Sequence, residues 1–231
     1  MEDSILLTYK SATLRKSDID NLRDCCWLND QCINFYYEYL ANTVQGIDNV
    51  KLVDPASAAL LLYTDDIEDL FDIFEPLELP DADLICCPVN DNTDKFKGAG
   101  GSHWTLLFYS KAHHSFFYSD SGSTGCVLSN IPSVATKLHW LITNNREGTS
   151  EQGTDFEINV VKNAPKQTNS YDCGVYVLEM TRLLIDMYLS DEGISSVELE
   201  DYKFDDLTSS ENVNELRHTI RDTISALIGE S

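Results

Sequence analysis

The sequence predicts an α+β domain in which helices flank a short, mostly antiparallel sheet and one helix is buried at the centre. Three observations point there. The first third of the chain spaces its apolar residues as helices do, and the middle switches to short, continuous apolar runs. From Gly174 to Leu189 the chain is then apolar nearly all round.

The elements follow in order. Ser17 to Leu22 reads as a capped turn. Leu28, Cys32, Phe35, Tyr36 and Tyr39 are spaced by threes and fours and predict an amphipathic helix from Leu28 to Ala41. Pro55 to Tyr63 and Asp66 to Phe74 read as short helices, the second stopped at Pro76. LICCPV (Leu84 to Val89), WTLLFY (Trp104 to Tyr109) and SFFYS (Ser115 to Ser119) read as strands, the last two joined by the turn SKAHH. Ile131 to Thr143 is a helix, Asn144 to Asp155 a polar loop and Phe156 to Val161 a fourth strand. After the central helix come an acidic loop over 190–211 and a last helix from Asn212 to Ile228. The length of 231 residues suits one domain.

Charge narrows the partners. Sixteen Lys and Arg against 39 Asp and Glu give a net charge of −23, and between Lys51 and Lys95 twelve acids fall with no basic residue. Such a field repels phosphate backbones and anionic lipid, which excludes nucleic acid and membrane surfaces, and it attracts a basic protein or tail. Acidity that only keeps the chain soluble is the other reading. Seven cysteines, an odd number with no C-x-x-C pair, predict reduced thiols and no structural metal. His113-His114 reads as a solvated turn. The start MEDSILLTYK lacks the grammar of a signal peptide, and no apolar run is long enough to cross a bilayer. The expectation is a soluble monomer of the cytoplasm or nucleus.

The chemistry centres on QTNSYDCGVYVLEM, Gln167 to Met180. A cysteine at the start of a helix lies at the positive end of its dipole, where a thiolate is stabilised, and Asp172 before it is a good N-cap type. The negative charge of Asp172 opposes that effect. A buried structural thiol is the alternative for Cys173. A nucleophile needs a base, and His103 follows the glycine-rich GAGGS and directly precedes a strand. If the two strands joined by SKAHH pair as a hairpin, partner numbers sum to about 223 or 224, and Asp120 lands across from His103. A slip of one residue would turn Asp120 to the other face. Gln167, six residues before Cys173, could donate to an oxyanion together with the Cys173 N–H; a loop residue bonded to backbone is the other reading.

GGSHWTLL, FFYSDS and QTNSYDCGVYV, in that order and spacing, resemble the ubiquitin-like-protein proteases, the clan of the sentrin/SUMO-specific proteases. WLND, FEPLELP, VNDN and NAPKQTNSYDCG further resemble its deneddylase branch, which acts on the neddylation modifier. The resemblance runs from about Ile5 to Leu189. It implies a papain-like fold, a triad of Cys173, His103 and Asp120 with Gln167 in the oxyanion hole, and no cofactor or metal. It also implies that Trp27 and Trp104 wall a tunnel over the modifier's Gly-Gly end, where only glycine lets backbone pass between indoles. Asp30 and Asn90 would fall near the modifier's basic tail. The implied partners are a ubiquitin-like modifier and its conjugates, processed and deconjugated by a cysteine isopeptidase. The alternatives are a protease for SUMO or ubiquitin, an acetyltransferase with a similar triad, and a non-catalytic modifier-binding protein. The acidic run Asp191 to Asp206 and the loop holding Lys95, Phe96 and Lys97 depart from the branch, which leaves modifier choice open.

Overall fold

A computed structural model describes residues 3–94, 100–122, 127–148 and 156–230. Lys95, Phe96, Lys97, Cys126 and residues 149–155 of the polar loop lie outside the described residues. The chain opens with a hairpin that the sequence reading missed, β1 (Ile5–Tyr9) and β2 (Ala12–Arg15), turning at Lys10 with φ 53. Neither Gly nor Asn marks that turn, and so the usual hairpin signal is absent. Ala12 and Leu14 are fully buried where β2 packs on the second helix.

The capped turn is a short helix, α1 (Lys16–Asp20). Asp18 accepts Arg15 N at 2.7 Å and Asn29 Nδ2 at 2.6 Å, while Asn29 Oδ1 caps α2 (Asp30–Thr43) by accepting Cys32 N at 3.1 Å. A second missed strand, β3 (Val50–Leu52), precedes α3 (Pro55–Tyr63). Asp54 caps α3 and Asp66 caps α4 (Ile67–Phe74), as their residue types predict.

The sheet has the order β3, β4 (Leu84–Asn90), β5 (Trp104–Ser110), β6 (Ser115–Ser119) and β7 (Ile158–Val160). Its long central ladders are antiparallel; the edge strands β3 and β7 join in parallel. The predicted fourth strand is therefore shorter than Phe156 to Val161. Pro88 is tolerated inside β4 because β3 stops opposite Cys86, leaving that flank without a ladder.

Both faces of the sheet are covered, which is why LICCPV and WTLLFY are continuous apolar runs without polar alternation. One face, with Cys86, Leu106, Phe108 and Phe117, packs against α2, α6 (Cys173–Leu189) and α7 (Ser210–Glu230). The other, with Ile85, Cys87, Leu107 and Phe116, packs against α3, α4 and α5 (Ile131–Ile142). Burial on every side of α6 needs its polar groups satisfied, and they are: Thr181 Oγ1 meets Tyr37 Oη at 2.9 Å, and Glu179 holds Arg182 and Thr208. His113, read as part of a solvated turn, instead bonds Ser110 Oγ at 2.8 Å and Val197 O at 2.9 Å, tying the β5–β6 turn to the acidic loop. Among the described residues no helix is long and apolar enough to cross a membrane.

Candidate active site

The β4–β5 ladder ends at Asn90↔Trp104, and the next pair of residues is Asp91 and His103. Asp91 N donates to His103 O at 3.0 Å, while the Asp91 carboxylate accepts His103 N at 3.1 Å, Ser102 N at 2.6 Å and Ser102 Oγ at 2.9 Å. Gly101, at φ +85, lets the chain enter this zip: a Cβ there would stand 1.8 Å from Asn90 Oδ1. His103 is thus fixed by backbone before its ring makes any contact.

Asp120 follows β6 directly. Its Oδ1 lies 2.6 Å from His103 Nε2 and accepts Gly122 N at 2.7 Å, and Tyr118 Oη approaches Oδ2 at 3.4 Å. The register sum is 225, not 223 or 224, because Ser110 and Ser115 still pair and only four residues turn. That shift puts Asp120 diagonal to His103 on the same face, within reach of the ring. Lys166 Nζ donates to Asp120 O at 2.7 Å and Gly122 O at 3.2 Å, holding the turn from behind.

Cys173 opens α6 with 3% of its surface exposed. With Nε2 taken by Asp120, Nδ1 of His103 is the nitrogen left for the sulfur. The Asp120 hydrogen bond, then the one to Cys173, hold the His103 imidazolium up to about 10 against the opposing effect of burial. For Asp120 burial pushes the carboxyl up, but the His103 hydrogen bond, the Gly122 N–H and the charges of His103 and Lys166 together outweigh it, and the net shift is downward. Burial pushes the Cys32 and Cys86 thiols each up to about 12.

Gln167 sits beside the pair. Its backbone N donates to Ser121 O at 2.9 Å, its Oε1 accepts Ser121 Oγ at 2.7 Å, and its Nε2 donates one hydrogen to Asn169 O at 2.7 Å. An amide carries two N–H donors, so one is left over.

A cleft of about 710 Å³ runs past Cys173 and His103 between Trp27 and Trp104. Trp27 is 50% exposed, which rules out plain core packing for it. Trp104 is half-buried and donates Nε1–H to Leu28 O at 3.1 Å. Asp30 and Asn90 line the same cleft, although Asn90 Oδ1 is engaged by Asn92 N at 2.9 Å. Seven of the eight predicted site residues line the cleft or form the His103–Asp120 pair, and Gln167 is joined to them through Ser121, the residue after Asp120. Asp91, Lys166 and Arg217 were missed. Pairing LICCPV with WTLLFY would have found Asp91, and Arg217 stands out as a lone charge in the apolar stripe Val213, Leu216, Ile220 and Ile224.

A cysteine at a helix start, a histidine just before a neighbouring strand and a carboxylate behind it, in a cleft between a helical layer and a sheet, define a cysteine peptidase of the papain-like kind. Comparison with known proteins is specific. The model of the Ulp1 protease family, C-terminal catalytic domain, matches residues 26–218. NEDD8-specific protease 1 of Arabidopsis thaliana is 32% identical over 100% of this chain and 96% of its own length. Sentrin-specific protease 8 of Homo sapiens is 34% identical, covering 85% of this chain and 89% of its own. The C-terminal Ulp1 protease domain solved in complex with Smt3, the yeast ortholog of SUMO, shares the fold at a TM-score of 0.66 and 23% identity, over 98% of this chain and 89% of that one. The chain belongs to the Ulp1 protease family and is a cysteine-type peptidase for ubiquitin-like proteins.

Proposed function

We propose that the protein is a deneddylase, cleaving after the C-terminal Gly-Gly of the neddylation modifier in precursors and in conjugates. The observation that carries the chemistry is the 2.6 Å contact from His103 Nε2 to Asp120 Oδ1, which leaves Nδ1 for Cys173 at the floor of the Trp27–Trp104 cleft. Support for the modifier comes from relatives named for NEDD8, aligned along nearly the whole chain.

In this reading Cys173 gives its proton to His103 and attacks the glycine carbonyl, forming a tetrahedral oxyanion held by the Cys173 N–H and the spare N–H of Gln167. His103 then protonates the leaving amine, the C–N bond breaks, and a thioester remains. Water, deprotonated by His103, hydrolyses that thioester and frees the sulfur. Asp120 keeps the ring oriented throughout. Trp27 and Trp104 admit only a side-chain-free backbone. Asp30 meets the basic residues before it.

The experiment is a panel of C-terminal fluorogenic modifiers: the neddylation modifier, SUMO and ubiquitin. The first should be turned over with kcat/KM at least about 10²-fold above the others, and Cys173→Ala should lose at least about 10³-fold while still binding it. Preference for SUMO or ubiquitin would overturn the substrate, and cleavage by Cys173→Ala would overturn the nucleophile.

A further inference from the structure

Asp172 stands at the N-cap of α6, yet its carboxylate makes no bond to the helix N–H groups. An aspartate here ordinarily accepts from the second or third helical N–H, satisfying donors that have no intrahelical partner. Instead it turns away. Asp172 Oδ1 accepts Arg217 Nη2 at 2.7 Å and Nε at 3.2 Å, and Oδ2 accepts Asn169 Nδ2 at 2.7 Å. Arg217 comes from α7, is 1% exposed, and lies outside the residues that line the cleft.

The same guanidinium does a second thing. Nη1 donates to Asn21 O at 3.0 Å and Arg23 O at 3.1 Å, and Nη2 reaches Tyr171 O at 3.5 Å. The Asn21 and Arg23 carbonyls begin the loop that leads through Cys25, held at φ 63, to the exposed Trp27. A non-glycine residue in that left-handed conformation is costly unless its surroundings fix it.

We propose that Arg217 is a positioning residue for the active site: it withdraws the Asp172 carboxylate from the start of α6, keeping a negative charge away from the Cys173 N–H that receives the oxyanion, and it anchors the loop that aims Trp27. The inference rests on Cys173 as the nucleophile. It explains why an acid next to that sulfur is tolerated. Its charge is cancelled by a buried cation and its oxygens point elsewhere. Without Arg217 the carboxylate would swing into the ordinary cap on the Gly174 and Val175 N–H groups, placing a negative charge beside the Cys173 N–H, where one must develop.

The test separates the two roles by kinetics with the modifier substrate and by iodoacetamide alkylation mapped to Cys173. Arg217→Met should lower kcat and the Cys173 alkylation rate by about tenfold or more, and raise KM by about threefold or more. Adding Asp172→Ala to it should return kcat and alkylation to within about threefold of wild type, because the intruding carboxylate is gone, while KM stays raised because the loop remains unanchored. Merely structural damage predicts the reverse, since a second buried deletion would worsen every reading. Should Arg217→Met fail to fold, Asp172→Ala alone decides: alkylation should be faster than wild type, with Arg217 left uncompensated near the thiolate. A tenfold loss there, or a double variant as slow as Arg217→Met, overturns the proposal. Failure of the nucleophile itself shows separately, as cleavage surviving in Cys173→Ala.

Discussion

A hydrogen bond of 2.6 Å between His103 and Asp120 makes a charge pair with a defined pH window. The folded protein holds the His103 proton up to about 10 from an ordinary 6.5, so the stabilisation of the protonated form is full below 6.5 and is lost as pH rises through about 10. The lowered Asp120 works from the other side: its share is present above 3.8 and is lost as pH falls through its folded value. In the proposed mechanism His103 must carry the proton it gives to the leaving amine, so the alkaline limb of kcat/KM reports it. Asp120 is the largest contributor to the raised value. In Asp120→Asn that limb should move down by roughly 1–3 pH units, the usual effect of one neighbouring charge. An unchanged limb in the pH–rate profile would show that Asp120 does not govern the ring.

At the scale of elements, Gly174 shows how the start of α6 is fitted to its neighbours. A Cβ there would stand 2.9 Å from Leu28 Cβ, and Leu28 O holds the Trp104 indole. Two effects compete in Gly174→Ala. Helix propensity favours alanine by about 0.5–1 kcal/mol, whereas forcing a methyl into a filled site costs about 1–3 kcal/mol. The clash wins, so the melting temperature should fall and turnover with it; a variant that melts at or above wild type would contradict this packing. Elements with strong periodicity were legible: α3 has the predicted bounds, and α6 starts one residue before its predicted first residue, at Cys173. Those that depend on distant partners were not. β3 has three residues and exists because β4 offers it an edge, and nothing in VKL alone marks a strand. His103 and Asp120 were legible because a hairpin is local, even with its register sum off. Arg217 and Asp172 are 45 residues apart on different helices, and only the packing of α7 on α6 brings them together.

For the whole molecule, acids far outnumber cations. Sixteen Lys and Arg cannot neutralise 39 Asp and Glu, and a net charge of −23 remains. Several of the cations are also tied up locally: Lys162 meets Glu200 and Asp201, Arg182 meets Glu179 and Asp186, and Arg217 meets Asp172. Among the described residues lining the cleft, Asp30 and Asp94 are acids, no Lys or Arg is present, and the His103 cation is paired with Asp120. A negative cleft in a negative molecule focuses its field outward along the path by which the basic tail of the proposed substrate would arrive. Such steering acts on the encounter rate and is screened once the Debye length shrinks to a few ångströms. Raising salt from 50 to 500 mM should therefore lower kcat/KM for the modifier by roughly tenfold, mostly through KM, and leave hydrolysis of an uncharged Gly-Gly peptide nearly flat. Asp30→Asn should flatten the salt dependence and raise KM at low salt. If modifier and uncharged peptide respond to salt alike, the acidic surface keeps the protein soluble and does not recruit substrate.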